Sequence, residues 1–153
     1  MKYYGICPAS CGEFVQGVMD RAEYLCSYAV DLYSTAEVEE KLNNINLGPL
    51  KSRKAIESVF KKFNIPVEES KNISLKIRSK IPVGKGMASS TADIGATIGA
   101  TLGLIKKELS SEEIAKLAST IEPTDSIYIE KNSIFNPLNG EVIRYLGNVK
   151  DLR

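Results

Sequence analysis

The chain has 153 residues, 43% of them hydrophobic and 25% charged, with a formal net charge of +1 and no histidine. That length suits one domain, able to bury roughly two-thirds of the surface its unfolded form exposes, and the balanced charge gives no field to draw the chain onto nucleic acid or an anionic membrane. The absence of histidine excludes Ser-His-Asp and Cys-His catalysis, and every metal site that needs an imidazole.

The first third reads as extended structure. Tyr3 to Cys7, Glu13 to Val18 and Tyr24 to Val38 are rich in β-branched, aromatic and cysteine residues, interrupted by Pro8, Gly12 and Gly17. A polar stretch from Asn43 to Gly48 precedes a helix signal: Ile56, Val59, Phe60 and Phe63 recur at helical spacing, and Pro66 ends it. Ile73 to Arg78 alternates apolar and polar residues, the pattern of a half-buried strand, and the glycine loop Pro82 to Met87 follows directly. Ala88 to Leu104 then holds no proline and one charge, Asp93, and its glycines and alanines give it a small-sided surface. Glycine costs a helix about 1 kcal/mol relative to alanine, so three of them imply close packing on a sheet or another helix. A further helix is expected from Ser110, which with Glu113 makes a capping box, up to Pro123. Ser126 to Arg153 reads as short strands around the turn Asn139-Gly140. This order implies an α+β domain, its helices on one side of a mostly antiparallel sheet.

No apolar run reaches the ~20 residues of a spanning helix, and the N-terminus is too polar for a signal peptide; the expected location is cytoplasmic. Cys7, Cys11 and Cys26 are odd in number and sparse, so they are expected to be reduced and mainly structural, with neither a disulfide framework nor a fourth ligand for zinc.

The most informative stretch is Ile81-Pro-Val-Gly-Lys-Gly-Met-Ala-Ser-Ser-Thr-Ala-Asp93. It joins a strand to a helix start, where unpaired N–H groups and the positive end of the helix dipole suit phosphate. Gly84 and Gly86 let the backbone come close to a ligand, Ser89, Ser90 and Thr91 add hydroxyls, and Lys85 adds a cation. The bland alternative is a glycine turn closed by a Ser/Thr N-cap. The spacing matches neither the P-loop nor the dinucleotide fingerprint. Ser58 and Lys61 match a penicillin-recognising pattern by spacing alone; its companion motifs are missing, and both belong on a solvated helix face.

Pro82-x-Gly84-x-Gly86-x-x-Ser89-Ser90-x-Ala92 resembles the second motif of the GHMP kinases, with Gly86-Met-Ala-Ser-Ser90 standing for their Gly-Leu-Gly-Ser-Ser core. The wording is most similar to the L-threonine kinases of cobalamin biosynthesis. Cys7-Pro-Ala-Ser-Cys-Gly-Glu-Phe-Val-Gln-Gly17 resembles the N-terminal motif of that subfamily, and Glu122-Pro-Thr-Asp-Ser126 a third short motif. The resemblance implies the ribosomal-protein-S5-like α+β fold (a GHMP kinase N-terminal domain), ATP as phosphoryl donor, Mg2+ as cofactor and L-threonine as the small-molecule substrate. It implies that Pro82, Gly84, Lys85, Gly86, Met87, Ala88, Ser89, Ser90 and Thr91 hold the triphosphate, that Ser90 and Glu122 reach the metal, and that Asp125 takes the substrate hydroxyl proton. Ser10, Gly12, Glu13 and Gln16 would contact substrate or nucleotide. Each carboxylate also has a plain reading: Asp125 closing a turn, Glu122 as a surface charge, Glu13 as an edge-strand charge.

Full members of that superfamily carry a second, C-terminal domain with a further glycine-rich motif, and none follows Glu122 here. The expectation is therefore an N-terminal, ATP-binding domain over residues 1–153 without its C-terminal domain, with little activity alone. It would work with a C-terminal partner chain or pair as a homodimer. The alternative is a non-catalytic nucleotide-binding or structural module.

Overall fold

In the computed structural model, which describes residues 1–147, the chain opens as one long antiparallel hairpin of β1 (Lys2–Met19) and β2 (Ala22–Glu40). Its turn is Asp20-Arg21, both at positive φ (50° and 66°), which a two-residue type I′ turn requires so that its twist matches the strands. The interruptions expected at Pro8, Gly12 and Gly17 do not break the first strand. β1 absorbs the irregularity in register shifts between Pro8 and Ala9, Ser10 and Glu13, and Glu13 and Val15. It can do so because it is an edge strand, paired only with β2, where proline and bulges are tolerated.

β2 is the shared strand of the sheet. Ser34 to Glu40 pair with β3 (Ile73–Ser79), while Leu25 pairs with Phe135 of β4 (Asn132–Asn136), itself paired with β5 (Glu141–Gly147). All these pairings are antiparallel. Helix α1 (Leu50–Lys62) packs on α2 (Ser89–Ile105), and α2 lies on β1 and β2 with α3 (Ser111–Ser119) beside it. The expected α+β arrangement is what forms. β1 shows its two faces by alternation: Cys7 is buried under the helices while Tyr4 and Ile6 stand exposed on the other side. Among the described residues no helix is long and apolar enough to cross a membrane.

The predicted helix face Ile56, Val59 and Phe60 is buried, and α1 ends at Phe63, before Pro66 is reached. Ala55 and Val59 meet Ile94, Ile98, Leu102 and Ala118 between the three helices. Beneath them, Val38 and Leu75 of the sheet join Ile56, Phe60, Ala96 and Ala100. Arg53 is buried yet fully engaged: its guanidinium donates to the carbonyls of Leu47, Ser70 and Ile73, each at 2.8 Å. The fork of an arginine fits this task, and it ties the loop before α1 to the start of β3. The Ser110–Glu113 capping box forms as read, with bonds of 3.2 and 2.9 Å. The Asn139-Gly140 turn joins β4 to β5; residues 148–153 of the last stretch lie outside the described residues.

Glycine brings α2 onto the strand backbone. A Cβ at Gly5 would lie 2.0 Å from the Ala96 carbonyl oxygen and 2.5 Å from the Ala100 nitrogen, so helix and strand touch main chain to main chain. Gly5→Ala should lower unfolding free energy by about 3 kcal/mol or prevent folding, since overpacking against backbone cannot relax through a rotamer. Gly17→Ala, with nothing within 4 Å of its Cβ position, should stay within ~0.5 kcal/mol of wild type. Urea denaturation of both variants checks this, and equal midpoints for both would contradict the contact.

Candidate functional site

The glycine loop leaves β3 and turns into α2 through three left-handed residues at alternate positions: Gly84 and Gly86, both at φ 70°, and Ala88 at φ 55°. Such alternation gathers successive N–H groups into an anion-binding concavity. A Cβ at Gly84 or Gly86 would meet nothing within 4 Å, so the space their hydrogens face is open. The N-cap of α2 is Ala88, with no side-chain cap bond. The plain reading of a Ser/Thr-capped turn is thereby overturned: an alanine methyl cannot accept a hydrogen bond, and the first-turn N–H groups are left for another acceptor. Pro82, Lys85 and both glycines are exposed, and Met87, Ala88, Ser89 and Ser90 are half-buried.

β1 anchors this loop. The Ser10 N–H donates to the Met87 carbonyl at 3.1 Å, at the point where the strand bulges. The Ser10 hydroxyl folds back on Gly12, donating to its carbonyl and accepting from its N–H, each at 3.0 Å. The first and second motifs therefore meet at Ser10 and Met87. Gln16 is not brought there: it lines a small cleft near Tyr24 and Pro137, further along the hairpin.

Below the loop lies a set of carboxyl groups. Glu13 pairs in register with Ser27 across the hairpin, and the Ser27 hydroxyl donates to Asp125 Oδ1 at 3.1 Å. The Ser27 N–H donates to Ser126 Oγ at 3.0 Å, so the segment after α3 is pinned to β2. Burial pushes the Asp125 carboxyl above its ordinary value; hydrogen bonds from Ser27, Glu13 and Thr91 oppose the shift, and the Glu122 charge adds to it. Glu13 is raised too, first by burial, then by the charge of Asp125 and a hydrogen bond to it. Thr91 is buried against this pair instead of opening onto the loop. The Tyr128 hydroxyl, pushed well above its usual range by burial, stays protonated and donates to the Thr91 carbonyl at 2.6 Å.

Two residues on in α2, Asp93 accepts at Oδ1 from the Ser34 hydroxyl at 2.5 Å. Burial raises the Asp93 carboxyl, the Ser34 bond lowers it, and the Glu122 charge raises it again. Burial, with the Asp93 charge, pushes the neighbouring Cys7 thiol up to about 12, which keeps it an inert core group. Cys7, Cys11 and Cys26 are all free. Glu122 itself pairs with Lys51 of α1. Sequence reading missed Ser27, Ser34 and Lys51 because nothing local distinguishes them. Asp93 was visible as the lone charge in an apolar helix, a signal that a buried partner was needed.

Hard oxygen donors, the Ser90 hydroxyl and the Glu122 carboxylate, suit a magnesium ion held chiefly by phosphates, since that ion takes few protein ligands beside its nucleotide. No cluster of three or more acidic, Cys or His side chains able to hold a metal alone occurs among the described residues.

The raised Asp125 carboxyl has a consequence for stability. A folded-state value above the unfolded one adds stability below the ordinary carboxylate range, lost as pH rises through the raised value. Asp125→Asn should remove that part of the pH dependence and hold the thermal midpoint nearer its acid-side value at pH 7. Melting curves from pH 3.5 to pH 7 test this, and parallel profiles for variant and wild type would contradict it.

Three comparisons bear on the site. The GHMP kinases N terminal domain matches residues 51–129. L-threonine kinase of Salmonella typhimurium is 44% identical over 133 residues, 87% of this chain and 44% of that protein. L-threonine kinase of Citrobacter freundii is 39% identical over 133 residues, again 87% of this chain and 46% of that protein. The chain thus spans less than half the length of both curated relatives. The crystal structure of the Methanococcus jannaschii mevalonate kinase shares the fold, with a TM-score of 0.71 at 24% identity over 96% of this chain and 56% of that one.

Proposed function

The chain belongs to the GHMP kinase N-terminal domain family, and from that premise we propose that it is the ATP-binding part of a kinase that phosphorylates the hydroxyl of L-threonine, giving O-phospho-L-threonine. The observation that carries the reading is the uncapped start of α2 behind a loop with left-handed residues at 84, 86 and 88. Threonine comes from the two L-threonine kinases that match 87% of the chain. In this reading residues 1–153 are the N-terminal domain, and a C-terminal kinase domain, in the same or a separate chain, completes the site.

The residues divide the work. The loop N–H groups and the dipole of α2 neutralise phosphate charge, which is where most of the catalysis of phosphoryl transfer lies. Lys85, exposed on the loop, adds a mobile cation. The cleft lined by Leu32 and Tyr33 of β2 and by Ile77 and Lys80 at the end of β3, just ahead of the loop in sequence, would suit the nucleoside. Asp125 orients the threonine hydroxyl and takes its proton as the oxygen bonds to the γ-phosphorus and the bond to the ADP oxygen breaks. Its raised carboxyl makes it a better base than an ordinary aspartate, provided it is ionised, so turnover should climb with pH through that raised value. Glu13, whose carboxyl is raised by burial and by the nearby Asp125 charge, would contact the substrate. Ser90 and Glu122 would hold Mg2+, which supplies charge neutralisation at the phosphates when bound.

Titration of ATP with magnesium into the chain tests the loop. Ser90→Ala should weaken binding about tenfold by removing one hydroxyl contact. Gly86→Val should abolish it, by placing a branched side chain in the open space at a positive φ. Unchanged binding in both variants would reduce the loop to a turn. For the substrate, ADP release with threonine, homoserine and mevalonate is compared after the C-terminal domain of a threonine kinase is supplied. Threonine should be preferred, and equal rates or a preference for mevalonate would remove the assignment. Binding without turnover in every mixture would favour the non-catalytic module.

A further inference from the structure

Four ion pairs occur among the described residues: Lys2–Glu37, Lys51–Glu122, Lys62–Glu113 and Arg78–Glu37. Only Lys51–Glu122 reaches the carboxyl set below the loop. It spans 71 residues of sequence and joins the first turn of α1 to the segment just past α3. The two partners are unequally placed. The Glu122 side chain keeps 13% of its surface exposed, while the lysine keeps 55%. A nearly buried carboxylate is therefore met by a cation that approaches from solvent on a flexible stem.

Glu122 has like charges for neighbours. It bears on Asp93 of α2, and on Asp125, which follows it in the same segment. Facing these from the other elements are Glu13 on β1, the Ser27 and Ser34 hydroxyls on β2, Thr91 on α2 and the Tyr128 phenol. None of those groups is a cation. A carboxylate so surrounded is pushed outward by repulsion unless a counter-charge holds it.

We infer that Lys51 is a positioning residue of this site: from α1 it holds the Glu122 carboxylate in place beside Asp93 and Asp125. The inference rests on the kinase reading above and adds a helix that none of the three sequence motifs includes. Lys51 acts through Glu122 and touches no reacting atom. α1 meets α2 and α3 through Ala55 and Val59, so the pair also links the helix layer to the segment that carries Asp125. A role of this kind has a signature that a surface ion pair lacks. Removing Lys51 should disturb the response to magnesium while leaving folding almost unchanged, because an exposed lysine contributes little to stability.

The test is a double-mutant cycle on the full 153-residue chain, with ATP binding followed by calorimetry across a magnesium series. Lys51→Met should raise the magnesium concentration for half-maximal binding roughly fivefold, with the thermal midpoint held close to wild type. Lys51→Arg should restore most of the response, since the charge returns. Glu122→Gln should be impaired, and Lys51→Met combined with it should be no worse than Glu122→Gln alone, the mark of two residues acting as one. An unmoved magnesium response in Lys51→Met, or additive losses in the double variant, would overturn the inference alone. A wild-type chain that binds no nucleotide at any magnesium concentration would overturn the kinase reading, and the inference with it.

Discussion

Helix α2 rests on the backbone of β1, and most of the architecture follows from that contact. A side chain at Gly5 would collide with the helix main chain, so the two elements approach as closely as backbones can. The small face of α2, costly in helix propensity, is what permits it. The helix axis is thereby tied to the strand, and the start of α2 arrives where β1 bulges at Ser10. The Ser10–Met87 bond then sets the loop against the strand. An open helix start is useful for anion binding only when it is held still; here the surrounding packing holds it, and no cap occupies it.

The site has two electrical characters, a short distance apart. On the loop side, unpaired N–H groups and a helix dipole favour negative charge. Beneath it, Asp93 and Asp125 are half-buried carboxyls whose desolvation is offset by hydroxyl donors, Ser34 for one and Ser27 for the other. Each donor comes from β2, and each acceptor from an element on the helix side. The sheet thus supplies the hydrogen bonds that let the helix layer keep acids in its interior. Partial burial raises those carboxyls, which is poor for stability at neutral pH and favourable for accepting a proton.

Much of this was legible in the sequence wherever the signal was local. The capping box at Ser110, the α1 stripe of Ile56, Val59 and Phe60, the strand from Ile73 and the close packing of α2 all follow from spacing and residue type. The long hairpin was harder to see, because its turn is Asp20-Arg21, without the glycine that usually marks a type I′ turn, and because Pro8 reads as a break until β1 is known to be an edge. The site divides in the same way. The loop could be read from Gly84 to Ser90, since its glycines and hydroxyls are contiguous. Its uncapped start could not, since Ala88 as N-cap depends on a backbone angle that alanine rarely adopts. Ser27, Ser34 and Lys51 meet their partners across 98, 59 and 71 positions, distances that only the fold closes.

The central claim is that the turn from β3 into α2 is an open phosphate cradle. Backbone amide shifts of the isotope-labelled chain, followed during titration with inorganic triphosphate and magnesium, address it directly. The account expects the largest changes at the amides of residues 84–91, with smaller ones at Ser10 through its bond to Met87. Shifts spread over surface lysines, with residues 84–91 unmoved, would contradict it.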